Sequence, residues 1–201
     1  LFLPESLTKK TEKIILKEGL INIKAIIHGL RNESGVLFFL LFSWAFAISN
    51  FQVAFPLFSE EEFNFSGRET GFIFTLTGSI TASVQWFLLP KLVKKYREFS
   101  VLVLGVLAMS VGQLLIPASG TVVFLAFFVA ISSFGGGLFR PTANAILSKR
   151  ALEGQGTIMG LAFSFESLGR MIGPLLAGVL ISLFGTQSQF ILTALILILG
   201  L

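Results

Sequence analysis

The chain has 201 residues, 54% of them hydrophobic and 13% charged, with 23 Phe, no Asp and no Cys. A soluble domain would carry about twice that charge fraction, the lack of Cys removes disulfides and thiol nucleophiles together, and a single histidine, His28, makes a histidine-based metal centre or catalyst a poor fit. A net charge of +4 on a chain of mean hydropathy +0.86 therefore has to be explained by membrane orientation rather than by nucleic-acid binding.

Taken in chain order, Leu1–Pro4 reads as the end of a spanning helix, and residues 1–35 as that helix end followed by a basic cytoplasmic loop. Within that loop Lys10, Lys13, Lys17, Lys24 and Arg31 fall on one narrow stripe at 100° per residue. Leu16, Leu20, Ile23, Ile27 and Leu30 border it, which is the pattern of a basic amphipathic helix. Such a helix lies on an anionic leaflet, or it is a solvated connector; His28 would be a surface residue on either reading. Apolar runs then follow near 36–57, 71–90, 99–117, 121–147 and 155–184. Each reaches about the 20 residues that a helix needs to cross a hydrocarbon core, whereas 189–201 does not. The expected fold is all-α: a six-helix transmembrane bundle over 36–201 with its last helix truncated, in a chain cut at both ends.

The loops alternate in charge. Lys91, Lys94, Lys95 and Arg97 lie between the second and third runs, and Lys149 and Arg150 follow the fourth. The intervening loops hold only Arg68, in company with Glu60, Glu61, Glu62 and Glu69. The positive-inside rule puts the basic loops in the cytoplasm.

Polar residues sort the helices. The third run has little beyond Ser110 and Gln113 and the last only Thr193, which suits a lipid-facing place. On the first, Ser43, Ala47, Asn50 and Ala54 share a face with Gln52 nearby; on the second, Thr75, Gly78, Ala82 and Gln85 do. Gly78 and Ala82 form a small-xxx-small pair that would admit a close neighbour. The fourth aligns Ser133, Gly137, Arg140 and Asn144, and Gly135–Gly137 with Pro141 predict a loosened or bent helix. Asn50, Gln52, Gln85 and Asn144 are candidate cavity-lining residues, with helix–helix hydrogen bonding as the alternative. Trp44 and Trp86 fit either an interfacial belt or a cavity wall.

The fifth run carries the chemistry. Glu166 and Arg170 are spaced i, i+4, acid first. At 1.5 Å per residue, Glu166 lies about 15 Å into its helix and Arg140 about 13.5 Å from Lys149, so the depths agree. Arg140, Glu166 and Arg170 are thus expected to cluster, as a proton or substrate site or as an ion-paired clamp. Glu166 is the one acid within these runs, hence the one side chain here that could carry a coupling proton. No metal-ligand cluster, phosphate loop or nucleophile with its base is present in the sequence, so no metal, cofactor or enzymatic activity is expected.

The stretch GLFRPTANAILSKRALEGQGTIMGLAFSFESLGRMIGPLLAG resembles the tenth and eleventh helices of the major facilitator superfamily, especially its tetracycline-resistance-like drug:proton antiporters. Gly160, Gly169, Gly173, Pro174 and Gly178 match the superfamily's antiporter motif, with Ala177 standing for Gly. That motif is diagnostic on the fifth helix of such transporters, and this copy would be its counterpart in the second half. PKLVKKYREF resembles the loop between helices eight and nine, without the Gly and Asp-Arg of the first-half version. The resemblance implies helices seven to twelve of a transporter in the bacterial inner membrane, whose N-terminal six-helix half would complete a central cavity. It implies proton-coupled export of small drug-like or amphiphilic compounds. A non-transporting membrane module that keeps the fold, or a transporter of another substrate or coupling mode, is the alternative.

Overall fold

The computed structural model describes residues 35–150 and 155–201. The expectations for the preceding helix end, the amphipathic helix and His28 lie outside the described residues.

Every regular element described is helical. α1 is Gly35–Phe63, and α2 (Gly67–Ser83) runs through a π turn at Val84–Leu88 into α3 (Leu89–Lys95). α4 is Glu98–Leu115 with a 3-10 turn at Ile116–Ala118; α5 is Val122–Arg150, α6 Gln155–Phe184 and α7 Ser188–Leu199. Five spans are long and apolar enough to cross a membrane: Gly35–Phe63, Gly67–Lys95, Glu98–Ala118, Val122–Lys149 and Gly156–Phe184. The chain is an all-α integral membrane protein.

The acidic loop is shorter than the apolar runs suggest, because hydropathy marks what lipid covers while the backbone ladder continues until it is capped. α1 carries Glu60, Glu61 and Glu62 and stops at Phe63. Asn64 turns left-handed there (φ 53°), its N–H bonding Glu60 O at 3.0 Å while Phe65 N–H bonds Ser59 O at 3.1 Å. This is a left-handed αL closure, with the N–H of Asn64 reaching four residues back, for which Asn is one of the few non-glycine residues suited. Two residues later Ser66 opens α2 with a capping box: its hydroxyl accepts from Arg68 N–H at 3.3 Å, and Glu69 Oε2 accepts from Ser66 N–H at 2.9 Å. Gly185 (φ 80°) closes α6 in a similar way.

The expected loosening of the fourth span is not where the irregularity falls: α5 runs as one helix through Pro141. The break in the ladder is the π turn in the second span, directly before Pro90. Pro90 has no N–H to give Trp86, four residues back, and its ring crowds that carbonyl; the wider turn accommodates both defects.

α1 is the centre of the bundle, with 61% of its apolar window buried, against 11% for the second span and 17% for α6. It packs along α6, where Phe38 and Phe165 stack at 5.3 Å, and along α7, from Phe58, which meets Phe190 edge-on at 5.1 Å, to Leu40, which a Cβ on Gly200 would approach within 2.6 Å. α4 packs along α5 by backbone contact. A Cβ on Gly105 would come within 3.0 Å of Gly135 O, and one on Gly112 within 2.5 Å of Ser132 N. The third span is therefore not simply lipid-facing. Leu104, Leu107, Val111 and Leu114 point outward, but Gly105, Met109, Gly112 and Gln113 form an inward face. Glycine adds no polarity to such a face, so counting polar residues overlooks it.

Polar faces also divide. Ser43, Ala47, Asn50 and Ala54 are all fully buried. Thr75, Gly78, Ala82 and Gln85 are exposed instead, and nothing among the described residues lies within 4 Å of a Cβ on Gly78. The second span meets α5 one face round, through Thr81, whose hydroxyl bonds Ser133 O at 3.4 Å, and Val84, 3.2 Å from a Cβ on Gly137.

Candidate functional site

α5 and α6 bring Arg140, Glu166 and Arg170 together. Arg140 Nη2 donates to Glu166 Oε2 at 3.1 Å and its Nε to Oε1 at 3.4 Å, a forked approach. Arg170 Nη2 donates to the same Oε2 at 3.0 Å from one turn along α6. The carboxylate is 3% exposed, whereas the arginine side chains are 39% and 52% exposed. With Glu166 ionised, two cations and one anion leave the cluster at +1. The helix geometry that places them is simple. Glu166 and Arg170 share the α6 ladder, and α6 is held to α1 by Gly169 and Gly173, where a Cβ would run into Phe42 O and the Ser49 hydroxyl.

Arg140 also caps a cavity of about 240 Å³ between α1, α2, α4 and α5. Its guanidinium carbon lies 5.0 Å from the centre of the Trp44 ring, within cation–π range. Trp44, Phe51 and Phe74 give the cavity aromatic walls, and Gln52, Gln85 and Gln113 supply amides. Among the described residues Arg140 is the charged member of that lining. Trp44 Nε1 and Gln113 Oε1 are buried without a hydrogen-bond partner among the described residues.

The sequence-derived candidates separate accordingly. Gln52 and Gln85 line the cavity. Asn50 does not: it is fully buried near Gly173 on the α6 side of α1, with both amide atoms unpartnered among the described residues. Two residues along a helix are about 200° apart, so Asn50 and Gln52 face opposite ways. Asn144 sits one turn beyond Arg140, past the end of the lining, with its Oδ1 unpartnered among the described residues. Of the two tryptophans, Trp44 is a cavity wall at 6% exposure and Trp86 projects outward at 79%.

The glycine motif splits as well. Gly169 and Gly173 make the tight α1–α6 crossing, and Pro174 continues within α6 beside it. A Cβ on Gly160 or on Gly178 would meet nothing within 4 Å among the described residues, because both glycines lie on the outward face of α6. Gln113, Met109 and Ser132 are lining residues that the polar census did not select; the available signal was Gly105 and Gly112, spaced i, i+7 on one face with Met109 between them.

Comparison with known proteins bears on this arrangement. Residues 37–201 match the sequence profile of the Major Facilitator Superfamily. Over 172 residues, 83% of this chain, the sequence is 30% identical to Multidrug resistance protein 2 of Bacillus subtilis, spanning 41% of that protein. Over 139 residues, 68% of this chain, it is 30% identical to Quinolone resistance protein NorA of Staphylococcus aureus, spanning 35% of it. The human organic anion transporter MFSD10 (TETRAN) shares the fold, with a TM-score of 0.72 over 82% of this chain and 39% of that one, at 22% identity. The chain thus spans less than half the length of each of these relatives. Given a profile match that covers residues 37–201, this chain belongs to the major facilitator superfamily.

Proposed function

We propose that the chain is the C-terminal six-helix half of a secondary active transporter, of the tetracycline-resistance-like drug:proton antiporter group, that exports small amphiphilic compounds in exchange for protons. The observation that carries this reading is Glu166. It is a nearly buried carboxylate bound by two arginines, one of which caps an aromatic and amide-lined cavity. Protonating it removes the counter-charge of both arginines at once and takes the cluster from +1 to +2, which gives a proton a structural consequence next to the cavity. The names of the relatives, multidrug and quinolone resistance proteins, support the substrate class. The open faces of α2 and α6, with Gly78, Gly160 and Gly178, are the surfaces on which an N-terminal half would pack, and rocking between the halves would give alternating access. The basic loops would face the cytoplasm of a bacterial cell, with the bundle in its inner membrane.

The test is Glu166→Gln in the full-length transporter. Export driven by a pH gradient is expected to be abolished at unchanged protein level, with Glu166→Asp retaining part of it. Normal pH-driven export by the Gln variant refutes the proton role. Loss of the protein itself would identify Glu166 as an ion-paired clamp, since the arginines would be left without their anion in a membrane bundle.

A further inference from the structure

The second span ends on a basic face that the bundle leaves without an anion. At 100° per residue, Leu89, Leu92 and Val93 fall on one side of α3 and Lys91, Lys94 and Lys95 on the other. The apolar side packs against the cluster of Val84, Val101 and Leu138, so the three lysines turn away from the bundle, and all three are exposed. Arg97, two residues past α3, is exposed as well. Among the described residues none of these four cations is ion-paired, whereas Lys149 is paired with Glu98 and both Arg140 and Arg170 with Glu166. The acid adjacent in the chain, Glu98, is thus already engaged by Lys149. Lys91 is i, i+3 from Lys94 and i, i+4 from Lys95, spacings at which like charges destabilise a helix unless an anion from outside it relieves them.

The surface beside these cations is apolar. Tyr96 lies under Lys95, whose Nζ is 5.4 Å from the ring centre, and Phe99 opens α4; the two are 51% and 57% exposed. Phe99 leads into the outward row of α4 that Leu104, Leu107 and Val111 continue, so hydrocarbon-facing surface runs directly into the basic patch. Exposed aromatic rings between an apolar row and a group of cations mark a membrane–water boundary. Lysines at that level lay their stems along apolar surface and hold their heads among the lipid phosphates.

We propose that the α3–α4 corner binds an anionic glycerophospholipid of the cytoplasmic leaflet, with its phosphodiester on Lys91, Lys94, Lys95 and Arg97 and its acyl chains along Phe99 and the outward row of α4. A lipid fits better than an acidic protein segment because cationic and apolar surface are continuous here, which calls for a partner that is anionic at one end and hydrocarbon at the other. The site is separate from Glu166 and does not depend on the transporter reading.

Lipid binding to the purified full-length protein is read by native mass spectrometry. The probes are dioleoyl phosphatidylglycerol, dioleoyl phosphatidylcholine, which has the same chains and no net charge, and sn-glycero-3-phosphoglycerol, which is the anionic headgroup alone. A basic side chain at an anionic lipid surface contributes about fivefold in affinity. The first phosphatidylglycerol is therefore expected to bind at least about tenfold more tightly than the first phosphatidylcholine, and the free headgroup is expected not to displace it. The triple variant Lys91→Gln/Lys94→Gln/Lys95→Gln should bring the two lipids within about twofold of each other while phosphatidylcholine binds as to the wild type. Lys91→Arg/Lys94→Arg/Lys95→Arg should keep the preference, and so should Arg68→Gln, which removes an exposed cation from the opposite side of the bundle. Equal binding of the two lipids to the wild type overturns the proposal, and is the result expected if an acidic segment elsewhere in the full-length protein covers the lysines. A preference that survives in the glutamine variant, or displacement by the free headgroup, overturns it too. If the glutamine variant loses both lipids together, the arginine variant decides: a retained preference there supports the site, and a lost one refutes it. Export enters none of these outcomes, so failure of the transporter reading leaves the lipid site standing, and the reverse holds as well.

Discussion

Gly169 and Gly160 lie nine residues apart on α6, belong to the same motif, and should respond oppositely to one methyl group. At Gly169 a Cβ would run into Phe42 O and lie 2.9 Å from Phe46 N and 3.1 Å from Ala45 Cβ. Ordinary non-bonded separations are about 3.5–4.0 Å, and the first two of these neighbours are α1 backbone, which no rotamer change can move. Accommodation requires α1 and α6 to part along the seam that also holds the Phe38–Phe165 stack and the Gly173–Ser49 contact. Overpacking of this kind costs about 1–3 kcal/mol. Gly→Ala in a helix gains about 1 kcal/mol, so Gly169→Ala should be destabilising by up to about 2 kcal/mol. At Gly160 the space is open, leaving only the gain. The pair should therefore differ by about 3 kcal/mol at the upper end, or roughly 6–12 °C in Tm for a chain of this size. Thermal unfolding of residues 1–201 in detergent, followed by circular dichroism, measures it. Equal stability of the two variants would refute the α1–α6 seam as described.

Three other outcomes are expected. This chain has no Cys of its own; in a full-length protein cleared of any other cysteines, a cysteine at Glu61 should react with an impermeant reagent outside intact cells, and one at Lys94 only after permeabilisation; the reverse pattern would invert the topology. Asn64→Val should destabilise α1's closure by about 1–2 kcal/mol because a β-branched residue resists the left-handed region, and Asn64→Gly should not; equal melting of the two variants would remove the left-handed capping role. Residues 1–201 alone should insert without transporting, and co-expression with an N-terminal half should restore export; vectorial transport by this chain alone in liposomes would defeat the two-half architecture.

What was legible from sequence was the property that hydrocarbon selects one residue at a time. Apolar length exposes the five spans, because every backbone group in lipid must be bonded within its own helix. The i, i+4 spacing of Glu166 and Arg170 follows from a single helix, and their approach to Arg140 from counting residues to the membrane edge on two helices. What required the tertiary structure was azimuth and partner. Asn50 and Gln52 are equally polar, yet the packing of α1 against α6 buries one at that seam and turns the other to the cavity. The antiporter-motif glycines look alike in sequence, yet only Gly169 and Gly173 meet backbone. Gly105, Gly112 and Gly135 carry no polar signal, yet they set the α4–α5 contact and bring Gln113 to the cavity. The physical reason is that lipid tails are as apolar as the helices they surround. Transfer from water decides which segments insert, while backbone approach and steric fit, which depend on pairs of helices, decide which faces meet.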